Sequence, residues 1–176
     1  MVGMAIFGVL LSLAMPSFTG WIRSAKIRTT TESVQNGLQL AKAEAVRRNT
    51  AVRFQLIDLA TNSCALSVNG PHWVVSLDSA VGKCGTAASD TVDPRIVQLR
   101  NGAEGADNNT VLTAGQSSFV FNGMGRLVPT PAGSIDIDIS NATGGVARAL
   151  RIVISIGGQI RMCDPLLPAG DTQACS

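Results

Sequence analysis

The chain has 176 residues, a formal net charge of +2 and a single histidine. Aromatic residues make up 4% and tyrosine is absent, against 45% hydrophobic residues and 18 glycines, so a core has to rest on Val, Ile, Leu and Ala. A charge that small gives by itself no electrostatic reason for binding nucleic acid, and one histidine with four cysteines outside any CxxC pair argues against a zinc site.

Residues 1–22 contain no charged side chain, and the first charge is Arg23. The apolar part, Met1 to Phe18, is about as long as the roughly 17–25 helical residues that cross a bilayer core. A charge held mid-membrane is costly, so a charge-free run of this length is a specific signal. Its apolar body is Met1, Val2, Ile6, Phe7, Val9, Leu10, Leu11 and Leu13, with Pro16 near its end. A cleavable signal peptide carries a basic flank and a small-residue cleavage site. Nothing basic precedes this run, and Ser17 to Gly20 offers no clear small-x-small site, so the reading is a retained helix. The missing basic flank also leads us to expect natural residues upstream of Met1.

Pro16 removes one helical hydrogen bond and invites a kink. Beyond it the pattern becomes amphipathic. Ile27, Thr31, Val34, Leu38, Ala41 and Ala45 follow spacings of 4, 3, 4, 3 and 4, one stripe of a helix, while Lys26, Arg28, Glu32, Lys42 and Arg47 fall off it. The spacing predicts a single long helix of about 45 residues, nearly 70 Å, ending near Asn49. Its parts are residues 1–22, spanning a membrane or a filament core, and 23–49, the amphipathic half.

From Ala51 the period changes to two, which opens a β-rich domain over residues 50–176. Val52, Phe54 and Leu56 alternate with Arg53, Gln55 and Ile57. Phe119 to Phe121 form a strand stopped by Asn122-Gly123, and Ile135, Ile137 and Ile139 alternate with Asp136, Asp138 and Ser140. Leu150, Ile152, Ile154 and Ile156 lead into Gly157-Gly158, with Ile160 and Met162 following, which predicts a hairpin. Weaker strand signals are 64–68, 73–77 and 95–99; residues 101–109 predict a loop. The expected fold class is α+β: one long N-terminal helix packed on an antiparallel sheet or sandwich.

Catalytic signals are poor, with no GxSxG, HExxH or Walker loop. His72 sits between Pro71 and Trp73 and fits a structural role better than a catalytic one. Asp136 and Asp138 imitate the opening of a calcium loop, yet the intervening isoleucines fit a strand, and Asn141 stands where such a loop needs glycine. Gly123-Met124-Gly125 lacks the third glycine of a dinucleotide fingerprint and predicts a turn. Asn108-Asn109-Thr110 and Asn141-Ala142-Thr143 do not fit the glycosylation pattern better than chance allows. No catalytic residue, metal site or cofactor is assigned. Cys64, Cys84, Cys163 and Cys175 predict disulfides if the domain faces an oxidising compartment. Three pairings are open, of which the sequential one closes two short loops.

An apolar helix with a proline near its end, an amphipathic continuation and a sheet domain closed by a cysteine pair resemble bacterial type IV pilins and pseudopilins. The run MVGMAIFGVLLSLAMPSF is similar to the continuation of the Phe-Thr-Leu-Ile-Glu-Leu signature that opens mature pilins. Within that group, LQLAKAEAVRRNTAVRF (38–54), FVFNGMGRL (119–127) and LRIVISIGGQIRMCDP (150–165) resemble the GspH/FimT/FimU minor pilins. The resemblance implies that the basic leader, the processing site and the helix glutamate lie just upstream of Met1. It also implies a structural, non-enzymatic subunit that helps prime or cap a filament. Its partners would be other minor and major pilins, met through the N-terminal helix, and the inner membrane before assembly. In that state the domain faces the periplasm; after assembly it belongs to a surface pilus.

Three alternatives stand beside that expectation. A pseudopilin of type II secretion is the near variant. A DNA-binding pilin for transformation is possible but not favoured. Its candidate residues are Arg126, Arg148, Arg151 and Arg161, yet Gly158-Gln159-Ile160-Arg161 keeps only one of the two arginines in the Gly-Arg-x-Arg such pilins carry. A membrane-tethered enzyme or ligand-binding protein would need a polar pocket that the sequence does not advertise.

Overall fold

The structure, a computed structural model, describes residues 2–59, 64–102, 109–142 and 148–175, with side chains from residue 19 onward. It opens with α1 (Val2–Arg48), 47 residues long. The helix stops because Asn49 adopts a left-handed φ of 47°. The Asn49 amide donates to the Val46 carbonyl at 3.2 Å and the Thr50 amide to Ala45 at 3.2 Å, the paired closure that satisfies the last free carbonyls of a helix.

Nine strands follow. In the first sheet β1 (Val52–Asp58) lies between β3 (Trp73–Ser76), itself flanked by β4 (Ile96–Arg100), and β6 (Ser118–Phe121). The short β2 (Ala65–Leu66) continues the β6 edge along Ile57 and Asp58. The second sheet runs β5 (Thr110–Ala114), β7 (Ile135–Asn141), β8 (Leu150–Ile154), β9 (Ile160–Cys163), antiparallel throughout. Residues 68–70 join the two, the Ala114 amide donating to the Val68 carbonyl at 2.9 Å. The architecture is the expected α+β arrangement of one long helix on antiparallel sheets.

All six residues of the predicted stripe, Ile27 to Ala45, are fully buried. They meet Phe54, Trp73 and Phe119 from the first sheet and Leu112, Ile137, Ile139, Ile152 and Ile154 from the second. Each large apolar side chain withdrawn from water in this way contributes roughly 1.5–3 kcal/mol. Gly37 lets the helix come down on the aromatic pair, whose centroids are 5.6 Å apart; a Cβ there would sit 2.7 Å from the Phe54 ring.

One strand departs from the half-buried expectation. β1 is buried on both faces, because the chain after β3 folds over its outer side. Ile57, Val74, Ala80 and Ile96 form a second small core there, closed by a disulfide between Cys64 and Cys84. Gln55 is 2% exposed in this layer, and its Oε1 accepts the Ala80 amide at 3.0 Å. The other disulfide joins Cys163 to Cys175 across 12 residues and ties the C-terminal tail to β9.

β5 carried no strand prediction. The weaker signals at 64–68, 73–77 and 95–99 became β2, β3 and β4 within one to three residues at each end. β8 ends at Ile154 rather than Ile156, which is 47% exposed at the turn. Most of the predicted 101–109 loop and Thr143 lie outside the described residues. So do Met1 and the side chains of Val2, Ile6, Phe7, Val9, Leu10, Leu11, Leu13 and Pro16, although α1 is continuous from Val2. Among the described residues no helix is long and apolar enough to cross a membrane.

Candidate functional site

The second half of α1, the turn after β6 and the β8–β9 turn converge at one end of the molecule. The Lys42 ammonium donates to the Gly158 carbonyl at 2.9 Å, fixing the helix to the hairpin turn. Gly158 has a φ of 78°, and a Cβ on it would lie 2.1 Å from the Gly125 carbonyl oxygen. Gly125, at φ 73°, leaves no room either, since a Cβ would stand 3.0 Å from Lys42 and 3.3 Å from Val46. The turn between them is drawn tight by Asn122, whose Oδ1 accepts the Met124 and Arg126 amides, each at 3.0 Å. Gly123 lies against Asn49, so the helix cap touches the same turn. Three segments far apart in sequence (38–54, 119–127 and 150–165) therefore form one contiguous surface.

Charges on α1 near this end are paired. Arg47 reaches Glu44 at 2.7 Å and Arg48 reaches it at 2.6 Å; Arg48 also bonds Asp90 at 2.6 Å. The hydrogen bonds from Arg47 and then Arg48 hold the Glu44 carboxyl below its ordinary range.

The four candidate arginines do not form one cluster. Arg126 is exposed on the turn after β6. The Arg148 guanidinium bonds one oxygen of the buried Asp164 at 2.6 and 2.8 Å, and the other Asp164 oxygen takes the Leu166 amide at 2.9 Å. Register places Arg151 opposite Asp138, and its guanidinium spans Asp138 at 2.7 and 3.1 Å and Asp136 at 3.0 Å. Asp138 above all holds the Arg151 pKa above its usual value. Arg161 is exposed on β9, opposite Val153. Asp164 as the partner of Arg148 escaped the sequence reading; only the fold brings residues 148 and 164 together. The Asp136–Arg151–Asp138 contact was readable in principle, from two alternating strands joined by a hairpin.

His72 accepts the Gly102 amide on Nδ1 at 3.2 Å, a loop-holding contact. Among the described residues no group of three or more His, Cys, Asp or Glu side chains is placed to hold a metal. Two open clefts flank α1 where it passes β9. One, about 590 Å³, lies between Lys42, Val46 and Gln159; the other, about 460 Å³, lies between Trp21, Arg28 and Cys163.

Residues 30–158 match the model of the family described as Type II transport protein GspH. The fold is similar to that of the type IV minor pilin FimU of Pseudomonas aeruginosa in two crystal forms. One superposes with a TM-score of 0.55 at 18% identity, covering 85% of this chain and 95% of FimU. The other gives 0.53 at 16% identity, covering 85% and 99%. No curated protein matches the sequence.

Proposed function

The chain belongs to the family of Type II transport protein GspH, and from that premise we propose that it is a minor pilin, a structural subunit that helps prime or cap a type IV pilus. The observation that carries this reading is the division of labour along one helix. Residues 1–22 carry no charge, whereas from Ile27 to Ala45 the same helix is embedded in the core of the head. Such a molecule is stored with its apolar end in the inner membrane and its head in the periplasm. During assembly that end leaves lipid and packs against the helices of other minor and major pilins. Leu, Ile, Val, Ala and Met serve both surroundings, since neither demands polar partners. Gly3, Ala5, Gly8, Ser12 and Ala14 supply small positions for close helix approach. The work is mechanical, with no turnover and no cofactor. In a reconstituted assembly system, removing the protein should cut pilus number several-fold; an unchanged number would sink the proposal.

The family's own description supports a second reading, a pseudopilin of type II secretion. Deleting the protein would then lower export of folded enzymes and leave pili intact. DNA uptake receives less support, since Arg148 and Arg151 are occupied by aspartates and Gln159 replaces one arginine of the Gly-Arg-x-Arg pattern.

A further inference from the structure

β9 is the last strand of the second sheet, with β8 on its inner side. An antiparallel ladder alternates hydrogen-bonded and non-hydrogen-bonded pairs. The Ser155 amide donates to the Gln159 carbonyl at 2.9 Å, which with the register Val153↔Arg161 turns the main chain of Gln159, Arg161 and Cys163 toward β8. The main chain of Ile160, Met162 and Asp164 therefore faces outward. Asp164 agrees with that phase, its amide donating outward to the Gln173 carbonyl at 2.8 Å, where the C-terminal tail lies beside the strand. Past that single pairing, the outward groups of Ile160 and Met162 have no ladder partner among the described residues.

The flank of α1 overhangs this edge. Trp21 is 68% exposed at one end of it and Val46 51% at the other, each lining one of the two clefts. The cleft walls hold four cations, Arg28, Lys42, Arg47 and Arg148, against one carboxylate, Asp164, which Arg148 already engages. An unpaired edge beside exposed apolar side chains is a template for an added strand. The excess of cations selects the charge of what is added.

We propose that β9 accepts a strand from another protein: an extended segment, apolar on one face and acidic at both ends. It pairs with the main chain of Ile160 and Met162, sets its apolar face against Trp21, Ala43 and Val46, and brings its acidic ends to Arg28 and Lys42. The proposal is independent of the filament reading, because edge and clefts belong to the head and the helix docked on it.

The test uses the full chain in lipid nanodiscs and the peptide acetyl-Glu-Asp-Val-Thr-Val-Thr-Val-Asp-Glu-amide. Saturable binding with a blue shift of tryptophan emission is expected, arising from Trp21 because Trp73 is already 2% exposed. A peptide with lysine in place of every acid should not bind. Met162→Pro removes an outward amide, which an edge strand tolerates, and should weaken binding at least about tenfold. Ala43→Glu, on the exposed helix flank, should do the same by repulsion, and it decides the matter if the proline variant does not fold. Three results would overturn the proposal. They are no saturation at about 1 mM peptide, equal binding of the lysine peptide, or wild-type binding by Ala43→Glu. A concentration-dependent dimer that Met162→Pro dissolves would make a second copy the occupant, and would overturn it too.

Discussion

Gly158 and Gly82 have nearly the same backbone conformation, φ 78° and 75°, but different surroundings. An added Cβ at Gly82 meets nothing within 4 Å, whereas at Gly158 it meets the Gly125 carbonyl at 2.1 Å. Gly82→Ala therefore suffers backbone strain alone and should cost about 1 kcal/mol. Gly158→Ala adds a collision with main chain and pulls the turn off Lys42, so it should cost roughly 3 kcal/mol. Urea unfolding of the two variants measures the difference; equal losses would mean that the two turns do not interlock. Glu44 sets a second residue-scale expectation. Its folded pKa is depressed below the ordinary 4.5 by Arg47 and then Arg48. The stability it contributes is complete above that ordinary value and is lost as pH falls through the lower folded one. Glu44→Gln should flatten the acid limb of a melting-temperature profile taken from neutral pH downward. A variant that loses stability on acidification as steeply as the parent would rule the carboxylate out.

Among the elements, α1 carries the most legible signal. Leu38 lies at the centre of its buried stripe, and Leu38→Ala should lower stability by about 2–5 kcal/mol, read from chemical denaturation. A loss under about 1 kcal/mol would mean that the head holds together without the helix. The stripe was readable because a 3.6-residue period shows in any helix with one buried side. β7 and β8 were readable for the parallel reason, isoleucines pointing in and charges pointing out. β5 was missed because two of its three inward residues, Thr110 and Ala114, do not look like core. β1 was read as half-buried because alternation registers a wet face. Its second face became dry only when the chain from Leu77 to Arg95 covered it, a long-range event invisible along the strand. The convergence at Lys42 escaped for the same reason. Glycines 123, 125 and 158 looked like separate turns, and only their mutual approach gives them one shared role.

Over the whole molecule, charge distribution separates a structural subunit from a nucleic-acid binder better than total charge does. A net +2 leaves room for a basic face if the cations gather and the anions lie elsewhere. Here they do not. Arg151 sits between Asp136 and Asp138 on the outer face of the second sheet, and Arg148 is spent on Asp164. Phosphate would have to displace a chelating carboxylate pair to reach Arg151, exchanging one anion for another with little gain. The full chain in nanodiscs should therefore not retard duplex DNA in a gel at micromolar protein and moderate salt. Removing the competing charges should reveal the latent cation. Asp136→Asn with Asp138→Asn raises the net charge by two and frees Arg151, so retardation should appear at low salt and vanish steeply as salt rises, the mark of counterion release. Arg151→Ala on top of that pair should abolish it. Wild-type retardation with an equally steep salt dependence would instead mean that the arginines bind phosphate despite their aspartates, and would move the head from the scaffold class to the DNA-binding one.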